Sequence, residues 1–154
     1  MRVEIYIQAR TKNPAVQKMA QARWLIRSVA SNGQEVRKDG AVVLSNATEK
    51  RAVLQALNDA LGRFTKAAVI KVYVSDDYVR NMLLTNMPKR WRENDWHKIR
   101  KNGELIHSDL WRALSQLLAN HAVSFATTAE CFDNTILKEM EEKLNGRRET
   151  VWHL

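Results

Sequence analysis

The sequence contains a single cysteine, Cys131, among its 154 residues. One cysteine cannot form an intramolecular disulfide or supply a Cys-x-x-Cys metal knuckle, so disulfide-stapled domains and zinc knuckles are excluded. This usage is typical of a reducing compartment, and we expect a cytoplasmic location. Cys131 itself is expected in the core, on the last helix, rather than as a nucleophile.

Long apolar runs are also missing from the sequence. No stretch approaches the roughly 20 residues that an α-helix needs to span a bilayer. We therefore expect no membrane partner. The four histidines show no ligand spacing such as His-x-x-x-His, so no histidine is assigned to a metal site.

Negative charge is in deficit, with 17 acidic residues against 25 lysines and arginines and a formal net charge of +8 at pH 7. A basic balance favours partners that carry phosphates, although many small proteins are basic for no specific reason. The placement of the charge is therefore decisive. Six cations against two acids give the segment from Lys89 to Lys101 a net charge of +4, and Trp91 and Trp96 lie among them.

Hydrophobic periodicity predicts strands and helices in mixed order. Strands are predicted at 2–8, 24–30, 40–44, 67–74 and 122–126. Helices are predicted from Asn46 or Thr48 to Leu61, from Asp76 or Asp77 to Met87, from an N-cap at Ser108 to Leu118, and from Thr128 or Ala129 to Leu144. The run AAVIKVYV at 67–74 is typical of a buried central strand. This order predicts an α/β domain at residues 1–146, followed by a tail at 147–154.

Four blocks of residues carry a family resemblance through their order and spacing. They are Asn46-Ala-Thr-Glu49, Ser75-Asp-Asp-Tyr-Val-Arg80, Trp91-Arg-Glu-Asn-Asp-Trp96 with His107-Ser-Asp-Leu-Trp111, and Ala129-Glu-Cys-Phe-Asp133. Together they resemble bacterial-type ribonuclease H over nearly the whole chain. The resemblance implies the ribonuclease H fold, a five-stranded mixed sheet of order 3-2-1-4-5 with helices on both faces.

The resemblance also implies a chemistry, because the family cleaves the RNA strand of RNA–DNA hybrids with two magnesium ions held by four acids. The matching positions here are Gln8, Glu49, Ser75 and Asp133, with Asp76 one residue after Ser75. We therefore expect a remnant catalytic set of Glu49, Asp76 and Asp133. Mg²⁺ or Mn²⁺ would be held weakly, by Glu49 and Asp133, or not at all.

Two further parts of the family pattern are absent. The glycine-rich turn after the first strand is replaced by Thr11-Lys-Asn-Pro-Ala-Val16, preceded by Arg10, which places a cation beside the site. The Gly-His-x-Gly loop before the last helix is replaced by Phe125-Ala-Thr-Thr128. Both changes affect the substrate groove as well as the metal site.

The basic segment resembles the one that the family uses against nucleic acid. The candidate nucleic-acid-binding residues are Lys89, Arg90, Arg92, Lys98, Arg100, Lys101, Trp91, Trp96 and His107. A structural interpretation remains open for each kind of residue. The tryptophans would then pack between helices, Glu49 and Asp133 would be first-turn acids favoured by the helix dipole, and Ser75 with Asp76 would form an N-cap.

Three functions follow from these observations. The first is a ribonuclease H-like domain that binds RNA–DNA hybrid or duplex nucleic acid and is catalytically impaired or inactive. The second is a weakly active, metal-dependent ribonuclease H, and the third is a protein-interaction module that has kept the fold. The neutral residue on the first strand favours the first function over the second, and the basic excess favours the first over the third.

Overall fold

Five strands form one mixed sheet in the computed structural model, which describes residues 2–10, 13–99 and 105–145. The strands are β1 (Arg2–Ala9), β2 (Gln17–Val29), β3 (Glu35–Ala47), β4 (Val69–Val74) and β5 (Ala122–Phe125). Their order is β3-β2-β1-β4-β5. The first three strands are antiparallel, whereas β4 runs parallel to both β1 and β5. The predicted sheet of order 3-2-1-4-5 is confirmed.

Six helices accompany the sheet in the described part of the chain. They are α1 (Glu49–Leu61), α2 (Asp77–Leu84), α3 (Met87–Glu93), α4 (Ser108–Leu118), α5 (Thr128–Phe132) and α6 (Thr135–Asn145). None of these helices combines the length and the apolar character that a membrane crossing needs. The predicted boundary between a domain and a tail at residue 146 lies at the edge of the described residues and stays a prediction.

The predicted last helix is divided into two in the structure. Helix α5 ends at Phe132, with Asp133 as its C-cap, and α6 begins at Thr135. Asn134 explains the break, because its side-chain oxygen accepts the backbone N–H of Leu137 at 2.9 Å. Such a bond caps a new helix start and competes with a continuous helix.

The β2–β3 hairpin is longer than the apolar pattern predicts. Each strand has 13 residues, and they pair from Gln17↔Ala47 to Val29↔Glu35. Ion pairs stabilise the polar end of the hairpin, and the alternation of polar and apolar residues in the sequence does not predict them. Arg27 bonds Glu35 at 2.6 Å and also bonds Glu4 on β1 at 2.6 Å.

The core lies on both faces of the sheet because successive strand residues point in opposite directions. On one face, Ile5 and Ile7 of β1 pack with α1 and α4. On the other face, Tyr6 packs with Cys131 of α5 and Leu137 of α6. Gln8 follows the alternation of Tyr6 and therefore lies on the α6 face.

Trp24 and Trp111 belong to this core, as the sequence predicts. Trp111 of α4 is fully buried. Trp24 of β2 is also buried and lies against the backbone of Gly40 on β3, where an added Cβ atom would stand 2.4 Å from the Trp24 ring. Glycine at position 40 therefore leaves the space that the indole fills.

Candidate active site and nucleic-acid interface

The carboxyl ends of β1 and β4 bring two expected acid positions together. The parallel pairing runs to Ile7↔Val74, and the backbone N–H of Ser75 then donates to the carbonyl of Ile7 at 3.1 Å. Gln8 and Ser75 line one pocket of about 220 Å³. The rest of the lining comes from α2, α5, α6 and their flanks: Asp77, Arg80, Thr128, Cys131, Phe132, Leu137, Lys138 and Glu141. Both matched side chains in this pocket are neutral.

The amide of Gln8 already has protein partners. Gln8 is 6% exposed, and its Nε2 donates to the backbone carbonyl of Leu137 at 3.0 Å. Its Oε1 accepts the backbone N–H of Ala9 at 3.0 Å. A carboxylate has no hydrogen to donate, so the tie between β1 and α6 depends on the amide.

Glu49 is directed toward β2 from the first turn of α1. Its side chain is buried, and Oε2 accepts the backbone N–H of Gln21 at 2.9 Å. Burial raises the pKa of Glu49, while the bond from Gln21 and the charge of Arg10 oppose that increase. The preceding Thr48 caps the helix as predicted, because its hydroxyl oxygen accepts the N–H of Arg51 at 3.2 Å.

Asp76 is the N-cap of α2, so this part of the N-cap interpretation is confirmed. Its Oδ2 accepts the backbone N–H of Val79 at 2.9 Å. Its Oδ1 accepts a hydrogen bond from Lys50 Nζ at 3.2 Å. Both carboxylate oxygens have protein partners, and Asp76 does not line the pocket shared by Gln8 and Ser75.

Asp133 lies at the junction of α5 and α6, where it is exposed. Neither Asp133 nor Glu49 lines the pocket shared by Gln8 and Ser75. Within residues 2–10, 13–99 and 105–145, no group of three or more His, Cys, Asp or Glu side chains could hold a metal ion. Magnesium prefers several oxygen ligands, and this arrangement does not fit a two-magnesium site. The metal role of Glu49 and Asp133, and the catalytic role of these two with Asp76, stay predictions.

Sequence reasoning missed Arg80, a buried cation beside the pocket. Its Nη1 donates to the carbonyls of Val74 and Ser75 at 3.0 and 3.2 Å, and its Nη2 bonds Asp77 at 2.5 Å. The guanidinium therefore holds the end of β4 against the start of α2. In the sequence, the feature that points to Arg80 is its place at the end of the block Ser75–Arg80.

The cations of the basic segment are partly on the surface of α3. Lys89, Arg90 and Arg92 are exposed, and Lys98 is half-buried. Arg100 and Lys101 lie outside the described residues. The cations that the structure describes are therefore placed where a phosphate backbone could reach them.

Trp91 and Trp96 have a different environment from these cations. Trp91 is 3% exposed and Trp96 is 9% exposed. The Trp91 ring lies 5.0 Å from the Trp111 ring, and the Arg112 guanidinium lies 5.7 Å from the Trp96 ring. Both tryptophans therefore fit the interpretation that they pack between helices, because stacking on a base requires a free ring face.

His107 occupies the N-cap position of α4, where the sequence predicts Ser108. It has a left-handed backbone, with φ at 62°, and its side chain makes no capping bond. Instead, Nδ1 lies 3.1 Å from Nη1 of Arg51, which also binds Asp109 through both nitrogens. The prediction of Ser108 as the N-cap is therefore wrong by one residue, because Ser108 is already the first residue of α4, and the His107 imidazole contacts Arg51 of α1. A nucleic-acid contact by His107 stays a prediction.

Folding stability is expected to decrease on acidification because of His107. Burial and then the Arg51 charge lower its pKa below the ordinary value of 6.5. The unfolded chain then binds the proton more readily, so the free energy of unfolding should fall as the pH decreases below 6.5. Urea unfolding of the wild type and of His107→Asn, across this range, measures the effect. Asparagine tolerates the left-handed backbone.

The control is His97→Asn, because His97 is exposed. His107→Asn should flatten the dependence of stability on pH more than this control does. Equal dependence in the wild type and in His107→Asn would show that the Arg51–His107 contact contributes nothing to acid sensitivity.

Comparison with known proteins gives one consistent family. The sequence profile of the RNase H family matches residues 15–128. Ribonuclease H of Nitratidesulfovibrio vulgaris (strain DP4) is 31% identical over 94 residues, which are 61% of this chain and 58% of the relative. The chain spans less than two thirds of the length of the curated relatives it matches.

Solved structures agree with the fold. LC9-RNase H1, a type 1 RNase H with the type 2 active-site motif, gives a TM-score of 0.67 at 20% identity, covering 80% of this chain and 61% of that one. The foamy viral protease-reverse transcriptase in complex with RNA/DNA hybrid gives 0.60 at 14% identity, covering 99% of this chain and 20% of that one. Likeness at such identity concerns the fold alone.

Proposed function

The chain belongs to the RNase H family, and on that premise we propose that it binds RNA–DNA hybrid or duplex nucleic acid with impaired or no catalytic activity. The observation that carries the proposed impairment is that the protein itself bonds the side chains at or next to the matched positions. Gln8 is bonded to Leu137, Glu49 to Gln21, and Asp76 to Val79 and Lys50.

Catalytic impairment follows from what a two-metal mechanism requires. Each ion needs several oxygen ligands in a suitable geometry, and a pair of ions must stabilise both the attacking and the leaving oxygen. Here two matched positions are neutral, and two acids already accept hydrogen bonds from the chain. Mg²⁺ or Mn²⁺ would accordingly bind weakly or not at all.

Binding of nucleic acid is supported by the charge of the chain and by where that charge lies. The net charge is +8, and three cations of α3 are exposed. The partner is proposed to be the phosphate backbone of a hybrid or duplex, since backbone contacts need cations and no free aromatic face. The cytoplasmic location stays a prediction.

Replacing Lys98, Arg100 and Lys101 by alanine tests the binding interface. Each phosphate neutralised contributes about −0.9 to the slope of log K against log salt, so three to four engaged cations should give the wild type roughly −3 to −4. The triple variant should bind hybrid and duplex more weakly and with a flatter slope. Fluorescence anisotropy of labelled duplexes at several salt concentrations measures both quantities.

The matched control replaces three exposed lysines elsewhere, Lys18, Lys38 and Lys66, by alanine. It removes the same charge and should lower affinity less. A folded Lys98, Arg100 and Lys101 variant with wild-type affinity and slope would contradict the interface. That result would favour the protein-interaction module instead.

A further inference from the structure

Lys50 places its ammonium group on the surviving acid next to Ser75. Its Nζ lies 3.2 Å from Oδ1 of Asp76, and it also lies 5.6 Å from the centre of the Tyr78 ring. The Lys50 side chain remains 34% exposed, whereas that of Asp76 is 9% exposed. The ammonium therefore contacts a buried carboxylate on one side and retains access to solvent on the other.

Arg10 lies near Glu49, the other surviving acid of the strand ends, because both are bonded to one residue of β2. Its backbone N–H donates to the carbonyl of Gln21 at 3.1 Å, and the N–H of Gln21 donates to Glu49 at 2.9 Å. Arg10 and Glu49 are thus bonded to the same residue of β2. Arg10 is exposed, and its charge acts on the Glu49 carboxyl.

These pairs change the electrostatics at the carboxyl ends of β1 and β4. A cluster of four acids repels phosphate until metal ions neutralise it, because like charges at short range are unfavourable. Here three of the acids near the strand ends have a cation of the chain nearby: Arg10 for Glu49, Lys50 for Asp76 and Arg80 for Asp77. These cations reduce the repulsion without a metal ion.

We propose that Lys50 and Arg10 act in place of the metal ions and bind a phosphate of the nucleic-acid backbone without a divalent cation. Both are exposed or partly exposed and lie beside the residues matched to the metal-binding acids. Ammonium and guanidinium groups bind phosphate oxygens through charge-assisted hydrogen bonds. This inference rests on the proposed nucleic-acid binding and specifies how the former metal site takes part in it.

The test compares hybrid binding in Mg²⁺ and in EDTA, by anisotropy, for the wild type and for the double variant Arg10→Gln with Lys50→Met. Wild-type affinity should be no weaker in EDTA than in Mg²⁺, because Mg²⁺ competes with the protein for the phosphates and is not needed for binding. The double variant should bind more weakly, and its salt slope should be shallower by about 1 for each phosphate contact removed. The control double variant Lys38→Gln with Lys66→Met removes the same charge at exposed positions away from the site.

A charge-conserving variant keeps the test valid if the double variant folds poorly. Lys50→Arg should retain the wild-type slope, whereas Lys50→Met alone should lower it. Wild-type binding that requires Mg²⁺, or equal slopes for Lys50→Met and Lys50→Arg, would overturn the inference while leaving nucleic-acid binding intact. A wild type that binds no hybrid in either buffer would overturn the proposed function as well.

Discussion

Cleavage of an RNA–DNA hybrid by the purified chain in Mg²⁺ is expected to be roughly a thousandfold or more below that of an ordinary ribonuclease H. A bound metal ion contributes several kcal/mol of transition-state stabilisation, and each 1.4 kcal/mol is about tenfold in rate. Gln8 and Ser75 remove two of the four expected ligands, and Gln8 is bonded to Leu137. A denaturing gel of a labelled hybrid measures the rate, with an active ribonuclease H as reference.

Glu49→Gln separates true residual activity from a contaminant. Replacement of an active-centre acid should abolish cleavage. As the control, replacement of the exposed Glu142 of α6 by glutamine should leave cleavage unchanged. Robust wild-type cleavage that is lost in Glu49→Gln would contradict the proposal and support the weakly active or active enzyme. Trace cleavage that is equal in the wild type and in Glu49→Gln would come from a contaminating protein.

The double variant Gln8→Asp with Ser75→Asp is expected to bind Mn²⁺ much more tightly than the wild type but to cleave hybrid little. Together with Glu49 and Asp133 it restores the four acids that the family pattern has in the sequence. Lys50 still bonds Asp76, Arg10 still lies beside Glu49, and the glycine-rich turn and the histidine loop remain absent. Calorimetric titration with Mn²⁺ and the hybrid-cleavage assay measure the two effects separately.

The double variant should also be less stable, because the bond from Gln8 to Leu137 is lost. A typical buried hydrogen bond contributes about 1 kcal/mol, and an unsatisfied carbonyl costs more. The variant Gln8→Asn with Ser75→Asn changes the same positions without adding charge and should not gain metal binding. Strong hybrid cleavage by the Asp variant would show that the missing acids were the whole defect.

The fold could be predicted from the sequence because local patterns indicate its strands and helices, and because four sequence blocks match the family in order and spacing. The run at 67–74 is interior strand β4, and Thr48 caps α1. The errors lie where polar residues decide the structure. Asn134 divides the last helix, and ion pairs around Glu35 lengthen the hairpin.

The candidate site could be predicted only in its residue types. Spacing and resemblance identify Gln8 and Ser75 as neutral residues at expected acid positions. They cannot reveal that Gln8 bonds Leu137, 129 positions later in the chain, or that Lys50 bonds Asp76. Such contacts depend on how α1 and α6 pack against the strand ends.

The most direct test of metal binding at the strand ends is a crystal of the wild-type chain soaked in Mn²⁺ and measured for anomalous scattering. We expect no ordered manganese between Glu49 and Asp133, with Glu49 still bonded to Gln21 and Lys50 still bonded to Asp76. A strong anomalous peak coordinated by both Glu49 and Asp133 would contradict it. That result would mean that the surviving acids still form a working metal site.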